Sequence, residues 1–269
     1  MDSRDAKTST DTHGSSGSLH RVWANGKPAT VGAHASSFPL TDDGAVRLAQ
    51  AIAFPDDRVW VRSMMNQSLD GSLTGADRTS ASLGNPTDFF ALTILRALPD
   101  VIVAGAGTVR GEDYRRPSGR ACVRTLGLRP QGAEYPALAI LTKSGDIPES
   151  IDASWPTYLV TPAENRDAVV DRTGFPHDHV IAAETPADCI SALAQLGFRG
   201  IQFEGGAHAL GDFLAAGVVN ELAWTRSHLT VGGDYPRVTA GPAHTTAWRL
   251  RDMFVGPHAT LTLHEGHDS

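Results

Sequence analysis

The chain has 269 residues, 41% of them hydrophobic and 20% charged, enough apolar surface for the core of one large α/β domain or two small ones. Its 23 Lys and Arg against 30 Asp and Glu leave a net charge of −7, which excludes the positive field that nucleic acid or an anionic membrane surface requires. Two cysteines, Cys122 and Cys189, exclude a disulfide framework and a multi-cysteine metal centre. No apolar run nears the ~20 residues of a bilayer span, and the first 19 residues lack the apolar segment of a secretory signal, so a soluble, cytoplasmic protein is expected.

Residues 1–37 are rich in Ser, Thr, Gly, Asp and His. Little there offsets the entropy of ordering, so a poorly ordered tail is expected, followed by one domain over 38–269. A short helix is predicted over 45–53, and a β-branched and apolar stretch at 58–65 suits a strand. Over 86–98 a helix is predicted, with Asn85 as cap, Pro86 at the first helical position and Asp88 in the positive first turn. Phe90, Ile94 and Leu98 fall on one face of it. The continuous apolar run 100–104 reads as a strand covered on both sides.

The alternation continues. Strands are predicted at 137–142, 157–160, 179–182 and 201–203, and helices at 163–170, 185–196 and 207–216. Thr185, Pro186 and Asp188 form a capping-box start for the second of these helices. The chain then finishes on strands alone, at 221–225, 248–255 and 260–263. Strand–helix alternation followed by strands alone predicts a mixed, mostly parallel sheet with antiparallel strands at one side.

Two strands end in glycine turns. Gly105-Ala106-Gly107-Thr108-Val109-Arg110 opens a helix, and Glu204-Gly205-Gly206-Ala207-His208 repeats the pattern. Such turns let backbone approach a ligand, and helix-start amides attract phosphate. Arg110 stands where a Rossmann fingerprint needs glycine, and no Gly-Lys-Ser/Thr follows, so neither familiar nucleotide loop is present. Taken singly, each turn reads as a tight connection; together they favour a dinucleotide. Asp70, in Ser68-Leu69-Asp70-Gly71, reads by itself as a turn residue, and Arg96 as a cation at a helix end. The 11 histidines lack a metal-binding helical spacing or a thiolate partner, so no metal is expected.

In this order and at these separations, four blocks resemble the pyrimidine reductase domain of riboflavin biosynthesis, a branch of the dihydrofolate-reductase-like fold. They are Ser68-Leu69-Asp70-Gly71, Leu95-Arg96-Ala97, the 100–110 strand and turn, and Glu204-Gly205-Gly206 with its helix and Asn220-Glu221-Leu222. The stretches 79–96 and 110–114 look like a stand-alone actinobacterial-type subgroup, some of whose members are associated with dihydrofolate reduction. The resemblance implies a three-layer αβα reductase that uses NADPH and forms a homodimer.

Carried over by position, Gly107, Thr108, Val109 and Glu112 would contact the cofactor from one side, and Gly205, Gly206, Ala207, His208 and Ala209 from the other. Thr142, Lys143 and Ser144 would hold its adenosine ribose. Ser80, Arg96 and Glu204 would lie near the substrate's sugar phosphate, and Asp70 would face its ring, with Asp70 and Glu204 as the catalytic carboxylates. The implied reaction reduces 5-amino-6-ribosylaminopyrimidinedione 5′-phosphate, ribose to ribityl. Alternatives are a dihydrofolate or other pterin reductase on the same fold, and an NADPH-binding protein without catalysis. Ser72 replaces a lysine common in relatives, and His208 replaces a threonine or serine. The zinc deaminase signature fused to many relatives is absent.

Overall fold

The computed structural model describes residues 17–30 and 36–266. Three short strands, β1 (Ser18–Ala24), β2 (Lys27–Pro28) and β3 (Ser37–Pro39), precede α1 (Asp42–Ala51). The chain then runs through β4 (Trp60–Ser68), α2 (Pro86–Leu95), β5 (Val101–Gly105), α3 (Ala106–Gly111), α4 (Ala121–Arg124), β6 (Ala137–Leu141) and β7 (Thr157–Thr161). Next come α5 (Arg166–Thr173), β8 (Val180–Ala182), α6 (Pro186–Gln195), β9 (Gly200–Phe203) and α7 (Ala207–Ala215). It ends on β10 (Glu221–Ser227), β11 (Trp248–Val255) and β12 (Ala259–Gly266).

All the strands join one sheet in the order β2-β1-β11-β12-β10-β4-β9-β5-β6-β7-β8, with β3 beside β1. From β10 to β8 every pairing is parallel. Strands β12, β11 and β1 extend it antiparallel, the mixed sheet that the strand-only finish predicts. Helices cover both faces, and β5 and β6 are apolar throughout. Val101 and Val103 pack into one core cluster while Ile102 and Ala104 pack into the opposite one, as the two-residue period of a strand dictates.

Local chemistry sets the helix starts. The Asn85 side chain accepts from the Asp88 amide at 2.9 Å, with Pro86 in the first turn. Thr185 and Asp188 cap α6 reciprocally. Helix α2 stops at Leu95, three residues before the expected end, although Leu98 is still fully buried. Strand β4 runs three residues past its expected end because Asn66, Gln67 and Ser68 pair in register with Thr225, Arg226 and Ser227 of β10. Tertiary pairing here overrides polar side chains.

The expected tail needs correction. Residues 1–16 and 31–35 lie outside the described residues, but Ser18–Ala24 is a strand of the sheet, paired with β11. Leu19 is fully buried in the same cluster as Phe38 and Phe254, and Arg21 Nε donates to Asp252 Oδ1 at 3.0 Å. One fully buried residue in a seven-residue strand gives too weak an alternation to stand out from polar flanks.

Candidate active site

The two glycine turns sit at the carboxyl ends of adjacent parallel strands, β5 and β9. From there the chain leaves in opposite directions. Ala106 and Val109 of α3 join the core on one face of the sheet, and Leu210 and Phe213 of α7 join the core on the other. Helices diverging to opposite faces from neighbouring strands create a crevice, the usual ligand site of an open α/β sheet. A cleft of about 920 Å³ opens at this point.

The Gly105 amide donates to the Gly205 carbonyl at 2.9 Å, so the two turns are bonded to each other. Gly205 has φ +103°, a conformation that favours glycine, and the Gly205–Gly206 peptide is cis. A Cβ on Gly206 would stand 3.1 Å from Thr108 Oγ1, whereas one on Gly107 would meet nothing within 4 Å. Bare backbone therefore faces the cleft from both turns.

Glu204, the residue before the second turn, has a side chain 1% exposed. Arg96 holds it with Nε 3.0 Å from both carboxylate oxygens and Nη2 2.6 Å from Oε2. The Tyr114 hydroxyl donates to Oε2 and Gln202 Nε2 to Oε1, and the Arg96 guanidinium lies 5.0 Å above the Tyr114 ring. Burial pushes the Glu204 carboxyl up, but the Arg96 charge and hydrogen bonds outweigh it and hold it below the ordinary value. Tyr114 is raised well above the ordinary phenol, by burial first and the Glu204 charge second. Glu204 thus stays ionised with its oxygens occupied, and acts by fixing Arg96 in the cleft wall.

A second acid completes the site. Asp88, at the start of α2, lines the cleft half-buried. Burial pushes its carboxyl up to about 6, against the opposing pull of the Thr225 hydroxyl, the Asn66 amide and the Arg96 charge. This carboxyl titrates near neutrality, as a proton-handling group should. Sequence reasoning took Asp88 only as a first-turn acid and passed over Tyr114. The signal for Asp88 was present: Asp88, Leu92 and Arg96 stand at i, i+4 and i+8, one stripe of α2, and all three line the cleft. Tyr114 lies in the 110–114 stretch that carries the subgroup resemblance, but nothing in its spacing points to Glu204 as its partner.

Of the residues singled out from sequence, Ser80, Arg96, Gly107, Thr108, Glu112, Glu204, Gly205, Gly206, Ala207 and His208 line this cleft. Glu112 accepts from the Ser80 amide at 2.9 Å and hydroxyl at 2.8 Å, which ties the 80–83 turn to the end of α3. Val109 is fully buried in the core on one face of the sheet, and Ala209 of α7 packs against the core on the other. Thr142, Lys143 and Ser144 follow β6, one strand beyond β5 and outside the cleft lining; the Thr142 hydroxyl accepts the Gly145 amide at 3.0 Å. Asp70 also stands outside the lining, exposed, with its carboxylate turned to the amides of Val231 and Gly232. It does not face a ring in the cleft, because the turn after β4 points it at the 229–240 segment instead. Among the described residues no group of three or more His, Cys, Asp or Glu is placed to hold a metal, and no helix is long and apolar enough to cross a membrane.

The topology and crevice define an open α/β protein with a cleft at a strand switch point. The RibD C-terminal domain family matches over residues 59–260, and the chain belongs to that family. It is 28% identical over 169 residues to the riboflavin biosynthesis protein RibD of Bacillus amyloliquefaciens, covering 60% of this chain and 42% of that protein. The chain therefore spans less than half the length of that curated relative.

Solved structures share the fold. A pyrimidine reductase-like protein of Corynebacterium diphtheriae superposes with a TM-score of 0.70 at 21% identity, over 82% of this chain and 98% of that one. RibD of Acinetobacter baumannii gives 0.63 at 16% identity, over 78% and 58%.

Proposed function

We propose that the chain is an NADPH-dependent reductase of 5-amino-6-ribosylaminopyrimidinedione 5′-phosphate, turning its ribosyl group into a ribityl chain. The observation that carries this reading is the bonded pair of bare glycine turns, facing across one cleft the Glu204–Arg96–Tyr114 cluster and Asp88. Family membership supports the same chemistry.

The residues suit a dinucleotide. Thr41, Asn85 and Thr185 cap α1, α2 and α6; α3, α4, α5 and α7 have no side-chain cap, and α7 opens at Gly206 on the cleft. Its first-turn amides are left for an anion such as a pyrophosphate. Gly107, Thr108, Gly205, Gly206, Ala207 and His208 would hold NADPH, with Lys143 and Ser144 taking the adenosine ribose at the neighbouring strand end. When bound, the cofactor supplies a hydride.

The protein's own part is positioning and proton supply. The substrate's glycosylamine opens to an imine, which gains a hydride at C1′ and a proton at nitrogen. Arg96, 30% exposed and fixed by Glu204, offers positive charge to the phosphate. Asp88, with its carboxyl at about 6, is the cleft acid suited to deliver the proton. The test is NADPH oxidation followed by absorbance with this pyrimidine as substrate. A flat trace from folded protein that binds NADPH by calorimetry rejects this reading and leaves a pterin reductase or cofactor binding without catalysis.

Asp88 also favours a second reading, reduction of dihydrofolate or another pterin. As an anion it accepts two donors side by side, which the 2-aminopyrimidine edge of a pterin presents. Side-by-side kcat/KM values for the two substrates decide between them.

A further inference from the structure

We propose that Asp70 is a positioning residue whose carboxylate holds the 229–240 segment in place, so that Pro236, Arg237 and Ala240 form the outer wall of the cleft. An aspartate in an Asp-Gly turn ordinarily closes its own turn by accepting an amide two residues on. Here that amide, on Ser72, is taken by Ser68 Oγ at 2.9 Å. The Asp70 Oδ1 accepts the Ser68 hydroxyl, and both carboxylate oxygens also reach residues more than 160 positions away: the Val231 amide donates to Oδ1 at 3.2 Å and the Gly232 amide to Oδ2 at 2.8 Å. Gly232 and Gly233, with φ +68° and +73°, curl the segment around the two oxygens.

The contact continues along both strands of backbone. Leu69 N–H donates to the Leu229 carbonyl at 2.8 Å, and Leu73 N–H to the Pro236 carbonyl at 2.9 Å. Ser72 and Arg237 form an isolated antiparallel bridge, and the Arg237 guanidinium donates to the Asp70 carbonyl. At its far end the segment reaches the cofactor side, where Ala240 N–H donates to the Ala207 carbonyl at 3.1 Å. Pro236, Arg237 and Ala240 all line the cleft. Between those ends, among the described residues, the Asp70 carboxylate is the only side chain that accepts the segment's backbone amides. It therefore sets where Arg237 stands relative to a bound substrate.

The first arm of the test needs no substrate. Hydrogen exchange on the full chain, followed by mass spectrometry, compares wild type with Asp70→Asn and Asp70→Ser, each checked for an unchanged thermal midpoint within a few degrees. The expected result is exchange at least about tenfold faster over residues 229–237 and unchanged in β5 and β9, in keeping with the loss of a charge-assisted bond. Unchanged exchange over 229–237 in both folded variants overturns the proposal. The second arm rests on the reductase reading. With the pyrimidine phosphate as substrate, Asp70→Asn should raise KM several-fold while kcat stays within about twofold, and Asp70→Glu should recover part of it. Arg237→Met should raise KM without altering exchange. A fall in kcat at unchanged KM overturns the positioning role. If wild type turns over neither pyrimidine nor dihydrofolate, the reductase reading fails while the exchange arm still decides on Asp70.

Discussion

Asp88, in the first turn of α2, and Arg96, the cap residue that follows its last turn, are opposite in charge and both line the cleft. The Arg96 charge draws the Asp88 carboxyl down, yet burial wins and leaves it at about 6. A proton donor with that value loses its proton as pH rises. For the pyrimidine substrate, kcat is therefore expected to decline as pH rises through about 6. Asp88→Asn should lower kcat by about 10²-fold and abolish the inflection. If activity with dihydrofolate instead falls as pH drops through 6, the carboxylate is reading the ring as an anion, and the second function gains.

The same group makes a stability prediction of opposite sign to the activity effect. Its folded value lies above the ordinary 3.8, so between pH 4 and 6 the folded state binds more protons than the unfolded one. Stability therefore falls as pH rises through that window. Asp88→Asn should raise stability at pH 8 by about 1–2 kcal/mol, after discounting for partial exposure, and leave it unchanged at pH 4. Thermal melts at the two pH values check this, and equal effects at both would remove the claim that burial strains this carboxyl.

Glu204 is held below the ordinary 4.5 by Arg96, so the pair stabilises the protein above that pH and the contribution fades as pH falls through the folded value. Arg96→Met leaves a carboxylate with a 1% exposed side chain unpaired. The cost at pH 7.5 should be about 3 kcal/mol, a drop of about 6–12 °C in Tm, shrinking as pH falls and Glu204 protonates. A loss independent of pH would mean that packing against Tyr114, rather than charge, dominates.

Gly206 has φ −75°, which any residue adopts, so a side chain there need not unfold the turn. It would, however, fill the space beside Thr108 where a cofactor must meet backbone. Gly206→Val is expected to weaken NADPH binding by at least about tenfold in calorimetry, with far-ultraviolet circular dichroism unchanged. Unaltered affinity in the folded variant would make the second glycine turn purely structural.

Most of the α/β frame was legible because its signals are local: Asn85-Pro86 and Thr185-Pro186 announce helix starts, and 100–104 is apolar on both faces. The cleft was legible in half. Glycine turns can be read from composition, but two partners of Glu204 come from positions 96 and 114, which only the sheet order brings together. Asp70 shows the reverse case. Its turn was readable, yet the direction of its carboxylate depends on a segment arriving from residue 231 onward.

The N-terminal strand gives the last test, since it was the plainest misreading. Leu19 is fully buried against Phe38, Phe254 and α1, and Arg21 reaches Asp252, whose side chain is 1% exposed. A disordered segment would be indifferent to Leu19→Ala. A strand closing the antiparallel side of the sheet should lose about 2–5 kcal/mol, through transferred surface and the cavity left behind. Arg21→Met should also destabilise, because it leaves the Asp252 carboxylate short of a partner, though Arg251 Nε still donates to it at 2.7 Å and limits the loss. Denaturant unfolding of the two variants, with Leu19→Ala the costlier, is the expected order; a Leu19→Ala midpoint equal to wild type would return this segment to the status of a tail.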